Sequence, residues 1–335
     1  MTLALDDTRV RDQLIEAFIH ADGPISGEEL SHRLGLSRTA IWKHIKALEQ
    51  VGFEFEASPR VGYRAVRIPD ELMAPLVRPH LPADCLLGSP ILWAESRAST
   101  NDTALELAEK GLPHGAVVTA GEQTGGRGRR DRAWASPRGG MWFTVFVRNP
   151  CALRHAPDLT LLAALAVCRA LRGEGVPVEI KWPNDILLGG KKTGGILAQI
   201  RAEGEMVDHA VIGIGLNANF PIEELPEEIR DRATTILHAT GRPIDRPKVL
   251  ARILAELDRL YRDLRDGRGF QAVHAEWTAL CSTIGHEVEV AIGDQRVRGI
   301  ARSIEPDGSL VLETSPGVTR TVVSGEVLFS EREQV

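Results

Sequence analysis

The chain has 335 residues, 43% hydrophobic and 26% charged, which is the make-up of a soluble globular protein with length for roughly two domains. A net charge of −6 excludes a uniformly basic nucleic-acid-coating protein but leaves room for one local basic surface. Four cysteines without a C-x-x-C pair read as reduced, mostly buried thiols, and ten histidines without H-E-x-x-H spacing point to no metal site. The first residues, MTLALDDTRV, do not read as a signal peptide, and the longest apolar run, 159–168, is too short to cross a bilayer. A cytoplasmic protein without a membrane partner is expected.

Val10, Leu14, Ile15, Phe18 and Ile19 have helical spacing, broken by Gly23-Pro24. Ser26-Gly27-Glu28-Glu29 has the form of a capping box, opening a helix that ends at Gly35. Ser37 caps a third helix with Ile41, Ile45 and Leu48 on one face, ending at Gly52. Two short helices across a tight turn describe a helix-turn-helix. Alternation at Phe53 and Phe55, a turn over 58–62 and a return over 63–66 add a wing. Ser37, Arg38, Thr39, Trp42, Lys43 and Lys46 lie off the apolar face, and Glu49 is the only acid from Ser31 to Gln50. Such a surface suits DNA phosphates and base edges, with Arg60 in the wing turn adding to it. The competing reading is a small helical bundle, or a winged helix that contacts protein. One short helix makes few base contacts, so a dimer on a two-fold related operator is expected. Four prolines between 69 and 82 then mark a linker or a short-helix connector.

The central stretch carries polar residues in four places. Ser99-Thr100-Asn101-Asp102 follows the strand-like 91–93 and precedes a helix predicted over 103–110; alone it reads as an N-cap. Gln123 and then Gly125-Gly126-Arg127-Gly128-Arg129-Arg130 follow a strand at 116–120. Glycines let the backbone approach a ligand, and arginines fork onto carboxylate or phosphate. The run fails the dinucleotide fingerprint, because Asp131 stands at the third glycine position and a strand follows. Residues 189–195 miss the phosphate-loop pattern, with Lys192 where a magnesium-binding Ser or Thr belongs. Lys181-Trp182-Pro183-Asn184-Asp185 joins two strands, and Gly189-Gly190 turns the second into a third that carries Lys192, Gly194 and Gly195. Residues 211–215 read as a buried strand leading to Asn217 and Asn219. Helices are predicted over 248–262 and 270–277, and short strands with turns at 293–294 and 306–308 read as a small barrel.

Ser99-Thr100-Asn101, the arginine loop, Lys181 to Asp185, Lys192-x-x-Gly195-Ile196-Leu197 and Gly213-x-Gly215-x-Asn217, in this order, resemble the biotin–protein ligases. The helix-turn-helix in front resembles their bifunctional branch, which is both ligase and biotin-operon repressor. The resemblance implies an α+β protein: an N-terminal winged helix-turn-helix (1–66), a linker (67–82), a mixed α/β ligase domain of the class II synthetase-like biotin/lipoate type (83–282) and an SH3-like barrel (283–335), where Gly325-Glu326 matches a closing motif. It implies that biotin and ATP, with Mg2+, give biotinyl-5′-AMP, whose biotinyl group passes to a lysine of a biotin carboxyl carrier domain of a carboxylase. Arg127 and Arg129 would belong to the loop over biotin and phosphate, and Lys192 would bridge carboxylate and α-phosphate. Ser99, Thr100, Asn101, Gln123 and Gly128 would line the biotin pocket; Arg130, Arg132, Trp134 and Asn217 would lie toward the adenylate. Asp185 would position or deprotonate the incoming lysine. The bound adenylate would favour a homodimer on operator DNA. A lipoate–protein ligase and a non-catalytic biotin sensor are the alternatives. Asp131, where such loops often have Gly, is a departure, expected to point outward or to pair with Arg130 or Arg132.

Overall fold

The computed structural model describes residues 2–58, 61–293 and 295–329, with backbone alone at 2–8, 131 and 329. Arg60, Asp294 and the Asp131 side chain, all singled out in the sequence, therefore lie outside the described residues. The N-terminal unit holds α1 (Thr2–Ile19), α2 (Gly27–Leu34) and α3 (Arg38–Gln50). The first helix starts at Thr2, well before the apolar spacing that begins at Val10. Once a turn has formed, adding residues to a helix is cheap, so a polar extension needs no apolar stripe of its own. Ser26 Oγ accepts from Glu29 N at 3.0 Å, Ser37 Oγ accepts from Ala40 N at 3.2 Å, and Gly35 closes α2 at φ 66°. The wing is β1 (Glu54–Ser58) paired antiparallel with β2 (Gly62–Arg67). Gly62 sits at φ 125°, and a Cβ there would lie 2.1 Å from Ile25 O, so the wing packs against the turn before α2 only because residue 62 is glycine.

A short helix, α4 (Ala74–Val77), follows in the expected connector. It is no free tether, since Leu72, Met73, Ala74 and Val77 are buried. The central unit then runs β3 (Ile91–Arg97), α5 (Thr100–Ala108), β4 (Val117–Gln123), β5 (Met141–Arg148), α6 (Ala156–Gly173), β6 (Val178–Lys181), β7 (Asp185–Leu188), β8 (Lys191–Glu203), β9 (Met206–Leu216), α7 (Ile236–Thr240), α8 (Arg246–Arg265) and α9 (His274–Ala279). Its strands form one seven-stranded sheet in the order β3-β4-β5-β9-β8-β7-β6. The β3–β4 pair is parallel and the others antiparallel. The sheet is covered on both faces. Val145 and Val147 join the core cluster that includes α6 and α8, while Phe146, between them, packs with Ala104 and Ala108 of α5. A strand buried on both faces reads as a continuous apolar run, which is why 142–147 stands out in the sequence.

The C-terminal unit comprises β10 (Glu287–Ile292), β11 (Gln295–Ile304), β12 (Leu310–Ser315), β13 (Val318–Val322) and β14 (Glu326–Phe329), in the order β13-β12-β11-β10-β14. The buried Trp182 fastens it to the central sheet: its Nε1 donates to Gly308 O at 2.9 Å, and its backbone N donates to Thr283 Oγ1 at 3.0 Å. No described helix is long and apolar enough to cross a membrane.

Arg246, at the start of α8, ties the connector to the central unit. It donates to Asp70 (2.7 and 2.8 Å), to Gly140 O (2.7 Å) and toward Glu71 (3.4 Å). Glu71 also accepts from Trp93 Nε1 at 3.2 Å, and Arg11 of α1 lies 4.9 Å over the Trp93 ring. One chain of contacts thus runs from the first helix to the central core. Burial raises the Asp70 carboxyl, but hydrogen bonds and charge from Arg246 outweigh it and hold the group below 3.8. Removing the buried cation strands two acids. Asp70 keeps some solvent, so Arg246→Met is expected to cost about 2–3 kcal/mol in urea unfolding of the full chain. The Asp70 share of that stability is present above its ordinary pKa and lost as pH falls through the depressed folded value. The gap between wild type and Arg246→Met should therefore narrow below pH 3.8.

Candidate active site

The β3–α5 junction, the loop from β4 to β5, and the hairpin of β7 and β8 meet at one end of the sheet. Ser99 caps α5, accepting from Asp102 N at 3.3 Å, so the helix begins at Thr100 rather than at the 103 the sequence suggested. Gln123, at the end of β4, accepts from Thr100 N at 2.8 Å and donates to Ser136 Oγ at 2.9 Å. Asn101 donates to Leu197 O (3.1 Å) and Gln199 Oε1 (3.0 Å) on β8. Ser99, Asn101 and Asp102, with Leu197 and Gln199, border a cavity of about 220 Å3 whose other wall is Arg127, Gly128, Arg129 and Arg130; Thr100 and Gln123 stand behind it, joined by their hydrogen bond. Ser99, Thr100, Asn101, Gln123 and the arginine loop are thus brought together.

The loop folds back on itself. Gly128 N donates to Arg132 O at 2.7 Å, Trp134 N to Gly126 O at 2.8 Å, and Arg130 takes the left-handed region at φ 57°. A Cβ at Gly126 would meet Trp134 O at 2.4 Å. Every arginine here has an acceptor on another element. Arg127 pairs with Asp102 at 3.2 Å. Arg129 donates to Asn184 Oδ1 (3.2 Å) and Gly325 O (2.8 Å), and burial, with Arg130 nearby, lowers its pKa. Arg130 donates to Ala291 O (3.0 Å) and to Glu326 (3.4 Å). Arg132 grips Glu326 through both terminal nitrogens. Burial raises the Glu326 carboxyl, yet Arg132, Arg130 and Lys181 together hold it below its ordinary value. Arg130 and Arg132, expected toward an adenylate, face the C-terminal sheet in this conformation.

Next to this wall lies a second cluster. Lys192 Nζ is 2.6 Å from Asp185 Oδ1 and 5.1 Å from the centre of the Trp134 ring. The indole lies on two glycines: a Cβ at Gly195 would be 3.3 Å from its ring, and one at Gly215 would be 2.9 Å from its Nε1. Asn217 Nδ2 donates to Thr234 O at 3.0 Å. Trp134 Nε1 and Asn217 Oδ1 are buried without a hydrogen-bond partner, two polar groups left over at one place. Lys181 is largely enclosed nearby; burial first, and then Lys192, push its ammonium below the ordinary lysine value, against Asp185 and Glu326. The arrangement collects cations around a cleft, which suits a reaction that brings two anions together. Among the described residues no group of three or more His, Cys, Asp or Glu could hold a metal ion.

Sequence reading named Glu326, Asp102 and Gly213 without their contacts, and passed over Gln199. Glu326 sits nearly two hundred positions from the arginines it binds, so no local pattern reveals the pairing. Asp102 and Gln199 were visible only as a cap neighbour and a strand polar residue. The room Gly213 leaves for Asn101 has no signal beyond a glycine in a strand; a Cβ there would lie 2.1 Å from Asn101 Oδ1.

On the N-terminal unit, Ser37, Arg38, Thr39, Trp42, Lys43 and Lys46 are all exposed, Trp42 at 49%. Arg38 pairs with Glu28 at 2.5 Å and Lys46 with Glu49 at 2.6 Å. Exposed pairs of this kind are worth little, so both cations can exchange to phosphate.

Residues 10–64 match an HTH domain, residues 93–217 the Biotin/lipoate A/B protein ligase family, and residues 283–330 the Biotin protein ligase C terminal domain. The Bifunctional ligase/repressor BirA of Bacillus subtilis (strain 168) is 39% identical over 314 residues, 93% of this chain and 96% of its own. A Biotin--[acetyl-CoA-carboxylase] ligase of Paracoccus denitrificans is 34% identical over 235 residues, 69% of this chain and 97% of its own. The solved biotin protein ligase from Aquifex aeolicus in complex with biotin and ATP superposes with a TM-score of 0.63 at 29% identity, covering 72% of this chain and 99% of that one. With the three matches in chain order and a relative aligned over 93% of the sequence, this chain belongs to the family of bifunctional biotin ligase/repressors.

Proposed function

We infer that this chain is an ATP-dependent ligase that activates biotin as biotinyl-5′-AMP and transfers it to a lysine of a biotin carboxyl carrier domain, and that it represses biotin synthesis genes in response to biotin. The observation that carries the catalytic half is the Lys192–Asp185–Trp134 cluster beside a cavity walled by α5 and the arginine loop. In the first step a biotin carboxylate oxygen bonds to the α-phosphorus of ATP and pyrophosphate leaves. Ser99, Thr100 and Gln123 supply hydroxyl and amide groups for the ureido ring. Lys192, released from Asp185, sits between carboxylate and α-phosphate, and Arg127 and Arg129 cover them. Fixed cations lower the barrier to bringing the two anions together. Trp134 and Asn217, with Arg130 and Arg132 once they leave Glu326, hold the adenylate. In the second step the acceptor amine attacks the anhydride carbonyl and AMP leaves. Asp185, freed of Lys192, orients the incoming ammonium. Mg2+ is expected to arrive on the ATP phosphates, since it keeps several waters and takes few protein carboxylates.

The regulatory half rests on the exposed polar face of α3 and the wing. We propose a winged helix-turn-helix over 1–66, a connector over 67–82, a catalytic domain over 83–282 and an SH3-like domain over 283–335. The adenylate-bound form pairs into a homodimer that reads a two-fold operator in the cytoplasm, and a carboxylase acceptor domain competes for the monomer.

ATP–pyrophosphate exchange tests the first step. Exchange should require biotin, and lipoate should not replace it; exchange independent of biotin contradicts the assignment. Lys192→Ala should lower biotin-dependent exchange by about 10²–10³-fold without loss of folded protein by circular dichroism. For DNA, Lys43→Ala should weaken operator binding and reduce the slope of affinity against salt by about one, in a mobility-shift series with biotin and ATP present. Its exchange activity should match wild type.

A further inference from the structure

We propose that Thr144, in the middle of β5, is a positioning residue for the head-group pocket, and that Asn101 is the strut through which it acts. The proposal rests on the reading of Ser99, Thr100 and Gln123 as the pocket for biotin's ureido ring.

Thr144 is fully buried, on a strand whose other side chains are apolar up to Arg148 at its end. A hydroxyl in such a place must be paired. Its Oγ1 lies 2.6 Å from Asn101 Oδ1 and 2.8 Å from Thr100 Oγ1. A hydroxyl has one proton to give, and the Asn101 carbonyl oxygen can only accept. Asn101 cannot be turned the other way, because its Nδ2 faces two acceptors, Leu197 O and Gln199 Oε1. The Thr144 proton therefore goes to Asn101, and the Thr100 hydroxyl fills the 2.8 Å contact by donating back to Thr144. Gln123 Oε1 also lies 3.1 Å from the Thr100 hydroxyl, but the shorter contact to Thr144 is the one that needs the proton, which leaves Gln123 Oε1 to the Thr100 backbone N–H at 2.8 Å, while Gln123 Nε2 is directed to Ser136. One buried hydroxyl thus fixes the orientation of two consecutive residues at the start of α5.

Two consequences follow. Both amide protons of Asn101 are spent inside the protein, so Asn101 holds the pocket rather than donating to its occupant. Gly213 is the partner feature: a Cβ there would stand 2.1 Å from Asn101 Oδ1 and push the strut off its acceptors. Among the described residues Ser99 Oγ only accepts, from Asp102 N, which leaves its own proton for the ligand.

Thr144→Val keeps the shape and deletes the hydroxyl, leaving Asn101 Oδ1 and Thr100 without their partner. Biotin binding by calorimetry, without ATP, is expected to weaken roughly 10- to 100-fold, and the KM for biotin to rise in step. At saturating biotin, kcat and the KM for ATP should stay within about twofold, because the phosphate-binding side is untouched. Thr144→Ser restores the hydroxyl and should recover binding to within about threefold of wild type. A merely structural threonine would give equal losses for biotin and ATP, or no rescue by serine. Wild-type biotin affinity in Thr144→Val overturns the proposal. Should that variant fold poorly, Asn101→Ala serves: it must show the same biotin-selective loss, and unchanged affinity overturns the strut. If wild type binds biotin and Ser99→Ala weakens it while Thr144→Val does not, only this inference fails. If wild type itself does not bind biotin, the pocket reading fails with it.

Discussion

The site depends on keeping five cations close together before any anionic ligand is there to separate them. Like charges at such spacing repel, and in a partly desolvated cleft the repulsion is stronger than in water. The protein answers with a set of acceptors drawn from distant elements: Asp102 for Arg127, Asn184 and Gly325 O for Arg129, Ala291 O and Glu326 for Arg130, Glu326 for Arg132, and Asp185 for Lys192. These contacts fix where the loop lies, and they also fix what must give way. On the proposed function, an arriving carboxylate and triphosphate would offer stronger, better-matched partners, and each arginine would move from a protein acceptor to the ligand. The exchange is near-balanced for the exposed Arg127 pair and more demanding for the half-buried Arg129.

The pocket behind the loop follows the opposite rule. There the polar groups are neutral and mutually satisfied, with Thr144, Thr100, Asn101, Gln123 and Ser136 joined in one network. A network whose members are paired with one another is stiff, and stiffness is what lets a few hydroxyl and amide groups discriminate a ring by hydrogen bonding. The paired cations and the neutral network meet at the cavity lined by Arg127 to Arg130 on one side and by Ser99, Asn101, Leu197 and Gln199 on the other.

Much of this was legible from the chain. Caps at Ser26 and Ser37 and the apolar spacing of α3 announced the helix-turn-helix, because capping and amphipathicity are local. The apolar run 142–147 announced a strand, which the structure buries on both faces, and Gly189-Gly190 announced a hairpin. The arginine loop, Lys181 to Asp185 and Lys192 were all singled out, and the structure does gather them at one end of the sheet. What stayed hidden was long-range. Glu326 meets the arginines across the chain's whole second half, and Arg246 reaches back to Asp70 with no sequence mark on either. The start of α1 at Thr2 escaped because a helix can extend through polar residues. The connector read as a linker or a short-helix connector because its prolines advertise breaks, and the short helix is present, while the burial of Leu72 and Val77 depends on a surface supplied by α1 and α8.

The central claim is that the C-terminal sheet holds the arginine loop until ligand takes it over. Hydrogen–deuterium exchange on the full-length protein, with and without biotin and ATP, tests this directly. Ligand is predicted to slow exchange across 124–133 while exchange quickens at 289–292 and 325–328, the backbone from which the arginines have been withdrawn. Slowing of the loop with no change in the C-terminal sheet, or protection of both together, would contradict the account.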